Sequence, residues 1–370
     1  MISISPKSHV IDLLLLPRSL DFSADYSLNS LNGKDLQTLC NMIGKQMSAV
    51  NAVADTKSKR TGLRFPPEMV LLVVLILTLI FFGTQNSNFL TVASMRILLL
   101  SVVFTGIILI GQSLLIIAGE FDLSVGAIAS LGSVSTAILL ASWNVNFWVA
   151  IILGTLIGGL IGMLNGVITI VVGIPAFVTT LAMLFLARGF GYVLSGGDPV
   201  YPLPGDPGIL AKTEIAGLVS SVWIFLFLFF IADLYIRTSS IGRKIYLVGG
   251  NPVAAKMSGI RVERIKIGLF MLTGALSAFA GILLMSRSER ADNVTGLGWE
   301  LAVIAAAAVG GIRLEGGRGS LTGAFLGLIL LQVILQGLIT IGTNAMLLDA
   351  VKGVVMVIAV WLAFRKSPQT

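Results

Sequence analysis

The segment from residue 147 to residue 171 reads FWVAIILGTLIGGLIGMLNGVITIV and contains no charged residue. A helix that crosses the hydrocarbon core of a bilayer needs about 20 predominantly apolar residues, so this segment predicts a membrane-spanning helix. Gly154, Gly158, Gly162 and Gly166 recur every four residues within it. Residues with this spacing lie along one side of a helix, where a second helix backbone can approach closely. We therefore predict a helix-packing role for these four glycines.

The composition extends this interpretation to the whole chain. The 370 residues are 56% apolar and 12% charged, with a mean hydropathy of +0.96. Soluble domains are roughly 45–50% apolar and about 25% charged. The sequence therefore predicts an all-α, polytopic membrane protein with about ten transmembrane helices, of which the eighth is short. The predicted spans are 67–84, 95–118, 124–142, 147–171, 175–194, 215–235, 266–286, 299–312, 320–341 and 345–364.

The sequence divides at about residue 64. Residues 1–64 are polar and predict a cytoplasmic extension, whereas residues 65–368 predict one transmembrane domain. The extension is interpreted either as a partly disordered segment or as sequence upstream of a true start at Met47, which precedes a short basic leader.

The chain contains one cysteine, Cys40, and one histidine, His9. A single cysteine excludes an intrachain disulfide. Both residues precede the predicted membrane domain. That domain therefore cannot contain a catalytic triad with histidine or a metal site made of histidine and cysteine. We therefore expect no enzymatic activity, no catalytic residues, no metal and no cofactor in this chain.

Basic residues predict the orientation, because cytoplasmic loops are enriched in lysine and arginine. The predicted connection 237–266 is strongly basic, and shorter basic groups follow the eighth span and end the chain. Both termini and these connections are therefore predicted to be cytoplasmic. The opposite side is predicted to carry only Arg96, Lys212, Arg287 and Arg290.

Within the basic connection, the stretch NPVAAKMSG has the signals of a short helix. Asn251 is suited to the N-cap, Pro252 to the first helical position, and Gly259 to the position that ends a helix. A short capped helix between two spans can dock a soluble partner and transmit its movement. The alternative is a basic loop that lies near anionic lipid headgroups.

Charged residues within spans are costly and therefore informative. Arg188 lies inside a predicted span, and Asp349 and Lys352 are three residues apart in the last one. Structural roles are favoured, although an ion-coupled transporter could use such groups as a proton relay. Asp122 and Ser124 fit a helix N-cap.

Four motifs carry a resemblance to a known family. They read AGEFDLSVGAIASLGS, GIPAFVTTLAMLFLARG, SSIGRKIYLVGGNPVAAKMSGI and AVGGIRLEGGRGSLTGAFLG, in this order. The chain resembles the ribose-type, or monosaccharide, branch of bacterial ABC importer permeases over residues 65–368. The resemblance implies homo- or heterodimers of permeases, a separate ABC ATPase, and a periplasmic or lipid-anchored sugar-binding protein. It also implies that segment 237–266 couples to the ATPase through Arg243, Asn251, Ala254, Ala255 and Gly259.

The sequence is therefore interpreted as a permease subunit that imports a monosaccharide across the bacterial inner membrane. We predict that its pathway involves Ser130, Ser133, Thr179 and Thr180. The alternatives are an ABC permease for a polyol, a furanose signal molecule or a branched-chain amino acid, and an ion-coupled secondary transporter. The sequence excludes nucleic acid as a partner, because its basic residues lie between apolar spans.

Overall fold

The computed structural model describes residues 67–344 and, beyond them, residues 347, 350, 353, 354 and 357. The predicted N-terminal extension, Asp349, Lys352 and most of the tenth predicted span lie outside the described residues.

The described chain is mostly helical, with one small two-stranded antiparallel sheet. The helices are α1 (Pro67–Gln85), α2 (Val92–Ile117), α3 (Val125–Ala141), α4 (Phe147–Val167, continued by the π-helical turn Ile168–Val172), α5 (Ala176–Ser195), α6 (Ile209–Lys212), α7 (Ser220–Thr238), α8 (Ser240–Gly250), α9 (Pro252–Met257), α10 (Val262–Ser288), α11 (Trp299–Val309) and α12 (Leu321–Thr340). The strands are β1 (Glu214–Ile215) and β2 (Leu218–Val219).

Seven of these helices are long and apolar enough to cross a membrane: α1, α2, α4 with its π-helical turn, α5, α7, α10 and α12. The prediction of a polytopic helical membrane protein is thus confirmed. Helix α3 has 17 residues and is slightly shorter than a full span. Helix α11, predicted as the eighth span, has only 11 residues.

Helix α11 is too short to cross the membrane alone. At 1.5 Å per residue it is about 16 Å long, roughly half the thickness of the hydrocarbon core. Its C-terminal end packs against the beginning of α12, because a Cβ on Gly310 would lie only 2.4 Å from Ala324 Cα and from Gly323 O. Its N-terminal end therefore lies part of the way through the span, preceded by the non-helical segment 289–298.

The helix ends form two faces. On one, which we call the α8–α9 face, the C-terminal end of α2 meets α8 and the connection between α11 and α12, and Gly317 N donates to Ile117 O at 2.8 Å. On the opposite face, α6 and the β-hairpin lie beside the start of α2 and the end of α10. Lys212 pairs there with Glu289, and Arg96 lies 3.8 Å from Glu214.

Helix α10 is the central element, and it packs against α2, α3 and α4. It meets α4 at the predicted glycine stripe. A Cβ on Gly158 would overlap Ala278 Cβ and lie 2.6 Å from Gly274 O. Gly162 and Gly166 abut Phe270 and Ile267 of α10, and Gly154 abuts Thr136 of α3. A side chain at these four positions would separate the helices.

Adjacent glycines of α4 provide a matched test of this packing. We expect Gly158→Ala to lower the unfolding temperature in detergent, because overpacking costs about 1–3 kcal/mol. A Cβ on Gly159 finds only ordinary contacts, the nearest 3.5 Å away at Ala275. Gly159→Ala should therefore be neutral or stabilising by up to ~1 kcal/mol. Thermal unfolding of both purified variants measures the difference, and equal unfolding temperatures would contradict the close approach.

Candidate functional site

Helix α9 is the short helix that the sequence predicted on the basic connection. The Asn251 side chain accepts a hydrogen bond from Ala254 N at 3.0 Å, and Pro252 occupies the first helical turn. After the helix, Gly259 has a φ of +77°, which glycine adopts without steric cost. Ile260 N then donates to Ala255 O at 3.1 Å, which closes the C-terminal end. The predicted N-cap and terminating glycine are confirmed.

The two sides of α9 have different surroundings. Ala255 is 4% exposed and packs with Val248 and Val262. Val253 and Met257 are 70% and 86% exposed, so a partner can reach them. Ala255, which the sequence analysis grouped with the coupling positions, faces inward and braces the helix.

The exposed apolar pair on α9 was missed by sequence reasoning. Ala254 and Gly259 are exposed beside Val253 and Met257. The sequence carried one signal for this pair: Val253 and Met257 are four positions apart, which places them on one side of a helix.

Helix α8 supports α9 and carries Arg243. Gly242, Ile245 and Val248 are buried on one side of α8. Arg243 is exposed, so a partner can reach its side chain. Its Nη1 donates to Thr238 O at 3.4 Å. The Tyr246 hydroxyl donates to Gly319 O at 2.9 Å. Burial raises the pKa of Tyr246, so the hydroxyl remains a donor at neutral pH.

Three of the four motifs that carry the family resemblance converge beneath α9. Gly249 at the end of α8 abuts Ile117 O and would bring a Cβ to 2.7 Å from Gly317 N. Gly316 would bring a Cβ to 2.9 Å from the backbone of Gly119. We call this contact of backbones, made by Gly119, Gly249, Gly316 and Gly317, the glycine junction. It joins α8 and α9 to α2 and to the connection that precedes α12.

Polar side chains reinforce the same end of the molecule. Lys266 Nζ pairs with Glu120 Oε1 at 2.7 Å, and the two side chains are only 12% and 17% exposed. This pair ties the start of α10 to the segment after α2. A partly buried pair of this kind leaves a poorly solvated charge if one partner is removed.

Ser124 occupies the predicted N-cap position of α3 with the Asp122 carboxylate beside it, but no side chain caps the helix amides. Asp122 Oδ1 accepts from Ser124 N at 2.7 Å and from the Ser124 hydroxyl at 2.5 Å, but Ser124 makes no side-chain bond to the amides of α3. The Asn165 amide of α4 donates to Ser124 Oγ at 2.9 Å and to Asp122 Oδ2 at 3.1 Å, so it extends the same network. The network therefore joins α3 to α4.

The non-helical segment 289–298 is held by side chains from two helices. Arg188 of α5 donates to Asn293 O and, at 3.0 Å, to Thr295 O. Ser130 of α3 lies 3.0 Å from Asn293 O. Backbone carbonyls inside a membrane protein need such internal donors. Arg188 thus has a structural partner, as the sequence analysis favoured.

The four residues predicted for the pathway are buried, and their hydroxyls donate to backbone carbonyls. Ser130 bonds to Asn293 O, and Ser133 bonds to Ser130 O at 2.8 Å. On α5, Thr180 bonds to Ala176 O at 2.7 Å and Thr179 lies 3.4 Å from Ile174 O. Helices α3 and α5 are neighbours, so the structure brings the two pairs of residues to adjoining helices.

Gln112, in the C-terminal third of α2, was missed by the sequence analysis. It is 0% exposed, and neither its Oε1 nor its Nε2 has a hydrogen-bond partner among the described residues. The hydroxyls of Ser113 and Ser221 are likewise buried without one. Unsatisfied buried amides are costly. The sequence did contain a signal for Gln112, because a polar amide side chain is unusual within an apolar span.

The described residues contain no group of three or more His, Cys, Asp or Glu side chains that could hold a metal ion. What they do contain is a bundle of spanning helices, buried neutral polar groups, and a capped helix on one face. These features define a multi-pass membrane protein of the transport permease class.

Comparison with known proteins identifies the family. Residues 94–360 match the family described as "Branched-chain amino acid transport system / permease component". The chain belongs to this family. It is therefore a transport subunit rather than an enzyme, and a multi-pass protein of the inner membrane. No solved structure matches the chain.

Three curated relatives cover most of the chain. The probable ABC transporter permease protein YphD of Escherichia coli K12 is 37% identical over 79% of this chain and 88% of its own length. The ribose import permease protein RbsC of Bacillus subtilis is 35% identical over 79% and 91%. The L-arabinose transport system permease protein AraH of Escherichia coli K12 is 31% identical over 74% and 83%. The resemblance to ribose-type sugar ABC permeases is thus confirmed.

The glycine junction can be tested with two adjacent residues of α8. We expect Gly249→Ala to force α8 away from Ile117 O, at a cost of about 1–3 kcal/mol. A Cβ on Gly250 meets its nearest neighbour, Gly317 Cα, at 4.0 Å. Gly250→Ala is therefore the matched control and should behave as the wild type.

The measurement is limited trypsin digestion of the purified chain, because Arg313 and Arg318 lie in the connection that the junction holds. Cleavage there should accelerate in Gly249→Ala alone. Equal cleavage rates in both variants would show that the junction does not hold this connection.

Proposed function

We propose that the chain is the membrane-spanning permease subunit of an ATP-driven ABC importer for a monosaccharide. The observation that carries the proposal is α9, a pre-formed helix with exposed Val253 and Met257, which packs through Ala255 on Val248 and Val262. The sugar class is supported by relatives that are named as ribose and L-arabinose permeases. ATP hydrolysis takes place on a separate ATPase subunit.

The α8–α9 face is the cytoplasmic face in this proposal. Three exposed basic side chains there, Lys244, Arg261 and Arg264, form no ion pair among the described residues. On the opposite face, Arg96, Lys212 and Arg290 each have an acidic partner, and among the described residues only Arg287 there has none. An excess of unpaired positive charge is typical of cytoplasmic loops.

The complete architecture is proposed to contain about ten membrane helices with both termini in the cytoplasm. Residues 65–368 form the transport domain, and residues 1–64 form a polar cytoplasmic extension. In this arrangement segment 237–266 is the coupling segment.

Coupling follows from the contacts of α9. The ATPase binds Val253, Met257 and the exposed positions Arg243 and Ala254, while Asn251, Ala255 and Gly259 keep the helix in shape. When ATP binding closes the ATPase, α9 moves together with α8. Because the junction contains backbone atoms in direct contact, the displacement passes to α2 and to the connection before α12. The ion pair between Lys266 and Glu120 carries it to α10.

The segment 289–298 supports a translocation face shared with a second permease. Its Val294 is 57% exposed and its Leu297 is 72% exposed. Non-helical backbone at membrane depth is tolerated where it is buried in protein or lines an aqueous cavity, not where it faces lipid. A second copy or a sister permease would therefore cover this segment, and sugar delivered by an extracytoplasmic binding protein would pass beside it.

The interior matches a neutral, hydroxyl-bearing cargo. Ser130 and Ser133 lie on α3, where Ser130 bonds to segment 289–298, and Thr179 and Thr180 lie on the neighbouring α5. Gln112 adds an amide with free hydrogen-bonding capacity. Neutral polar groups can exchange backbone bonds for bonds to sugar hydroxyls without the cost of moving a charge. A polyol, a furanose signal molecule or a branched-chain amino acid is the alternative cargo.

The function is tested by uptake into proteoliposomes. The permease reconstituted with its ATPase and its binding protein should accumulate labelled ribose or L-arabinose only when ATP is supplied on the ATPase side. The permease alone, given a proton or sodium gradient, should accumulate neither sugar. Gradient-driven uptake by the purified chain would overturn the proposal in favour of an ion-coupled secondary transporter.

The coupling surface is tested by charge placed on its exposed apolar pair. We expect Val253→Asp together with Met257→Asp to reduce ATPase co-purification at least tenfold, because apolar anchors at the centre of an interface carry most of its binding energy. Both side chains point to solvent, so folding should be retained. Substitution of Gly259 is avoided because its positive φ would strain any other residue.

The matched control is Ile215→Asp in β1, which is 51% exposed on the opposite face. It should leave co-purification unchanged. Normal ATPase recovery with the double variant would exclude α9 as the docking helix.

A further inference from the structure

We propose that the chain binds one anionic phospholipid in a groove between α2, α7, α8 and α10. This inference is independent of the proposed function, since it rests on the shape and charge of the groove alone. The groove has a volume of about 890 Å³. Sites that enclose a ligand of several hundred daltons have volumes of about 300–1,000 Å³.

The groove has an apolar end and a cationic end. Its deep part is lined by side chains of α2, α7 and α10 that carry no polar atom, among them Ile110, Leu114, Leu228, Ile231, Leu272 and Leu276. Its other end, at the α8–α9 face, is lined by Lys244, Arg261 and Arg264. Tyr235 lies in the lining too, near the C-terminal end of α7. This order of groups along one groove is that of a phospholipid from its acyl chain to its headgroup.

The length of the groove matches one leaflet. Arg261 and Leu276 both line it and are 15 positions apart in sequence, so it extends about 22 Å along α10. Half of the ~30 Å hydrocarbon core is about 15 Å, which leaves the cationic end at headgroup level. A sugar does not suit this groove, because its hydroxyl groups would face aliphatic side chains over most of the length.

The charge selects an anionic headgroup. The side chains of Lys244, Arg261 and Arg264 have no ion-pair or hydrogen-bond partner among the described residues, and no acidic residue lines the groove. Glu263, which is near in sequence, is paired with Lys256 at 2.7 Å. A phosphodiester with a further uncharged headgroup, such as that of phosphatidylglycerol, complements this cluster, and such clusters typically attract anionic lipid.

Gly268 provides a way to fill the groove without disturbing the fold. It lines the groove on α10, and a Cβ built on it meets no atom within 4 Å. Gly268→Leu therefore adds a side chain to open space. Gly189 on α5 is also without a neighbour within 4 Å and does not line the groove, so Gly189→Leu is the matched control.

The test is native mass spectrometry of the purified full-length chain in detergent, with phosphatidylglycerol or phosphatidylcholine of identical acyl chains. We expect the wild type to retain phosphatidylglycerol at least tenfold better. Replacing Lys244, Arg261 and Arg264 by glutamine should bring this ratio close to one. Gly268→Leu should reduce retention of phosphatidylglycerol, and Gly189→Leu should not.

The charge control replaces three other basic residues of the same face, Arg243, Arg313 and Arg318, by glutamine; none of them lines the groove. This variant should keep the preference. Should a groove variant fail to fold, phosphatidylglycerol with a photoreactive acyl chain can be cross-linked to the wild type. The adducts should map to residues 228–236 of α7 and 261–276 of α10.

Four results would overturn the assignment. Equal retention of the two lipids by the wild type, or adducts confined to other helices, would remove the site. A loss of dimer in Gly268→Leu with unchanged lipid retention would assign the groove to a second copy of the chain. A loss of ATPase binding in the glutamine variant, again with unchanged lipid retention, would assign its cationic end to the ATPase.

Discussion

The contact of helix backbones through glycine is the constraint on which this structure depends. In a bilayer the lipid chains are as apolar as the helices, so helices associate mainly through close packing. Gly158 and Gly162 let α4 lie against α10, and α10 in turn positions α2 and α3. The same close backbone contact recurs at Gly249, where the end of α8 meets the end of α2 and the connection between α11 and α12. One physical principle thus organises both the membrane core and the face that carries α9.

The two uses of glycine have different consequences for function. Along α4 the contact is a long, smooth surface inside the bundle, which fixes how close two spans can be. At the glycine junction the contact is small and lies under a helix that a partner can reach, so it links events at the surface to α2. The ion pair of Lys266 and Glu120 adds a directional, poorly hydrated bond at the same level. Packing and charge together connect α8, α2 and α10 at this end of the molecule, so these helices are expected to move together.

Sequence reasoning predicted the features that depend on composition and on local signals. Uninterrupted apolar runs predicted the spans, and Asn251 and Gly259 predicted the ends of α9, because capping is decided within a few residues. It failed where distant contacts decide the outcome. The inward side of Ala255 depends on Val248 and Val262, and the Asp122 carboxylate is engaged by Ser124 and by Asn165, which is 43 positions away. Nor could the sequence show that α11 begins part of the way through the span.

Helix α9 contains six residues, and an isolated peptide of this length in water is almost entirely unfolded, because nucleation of a helix is unfavourable. In the folded chain, Asn251, Gly259 and the buried Ala255 have already fixed its backbone. A protein that binds Val253 and Met257 therefore meets a surface whose conformational entropy was lost when the permease folded, not when the complex forms. Association can then be rapid and reversible while retaining a defined geometry. An interface that must form and separate in every transport cycle needs both reversible association and a defined geometry.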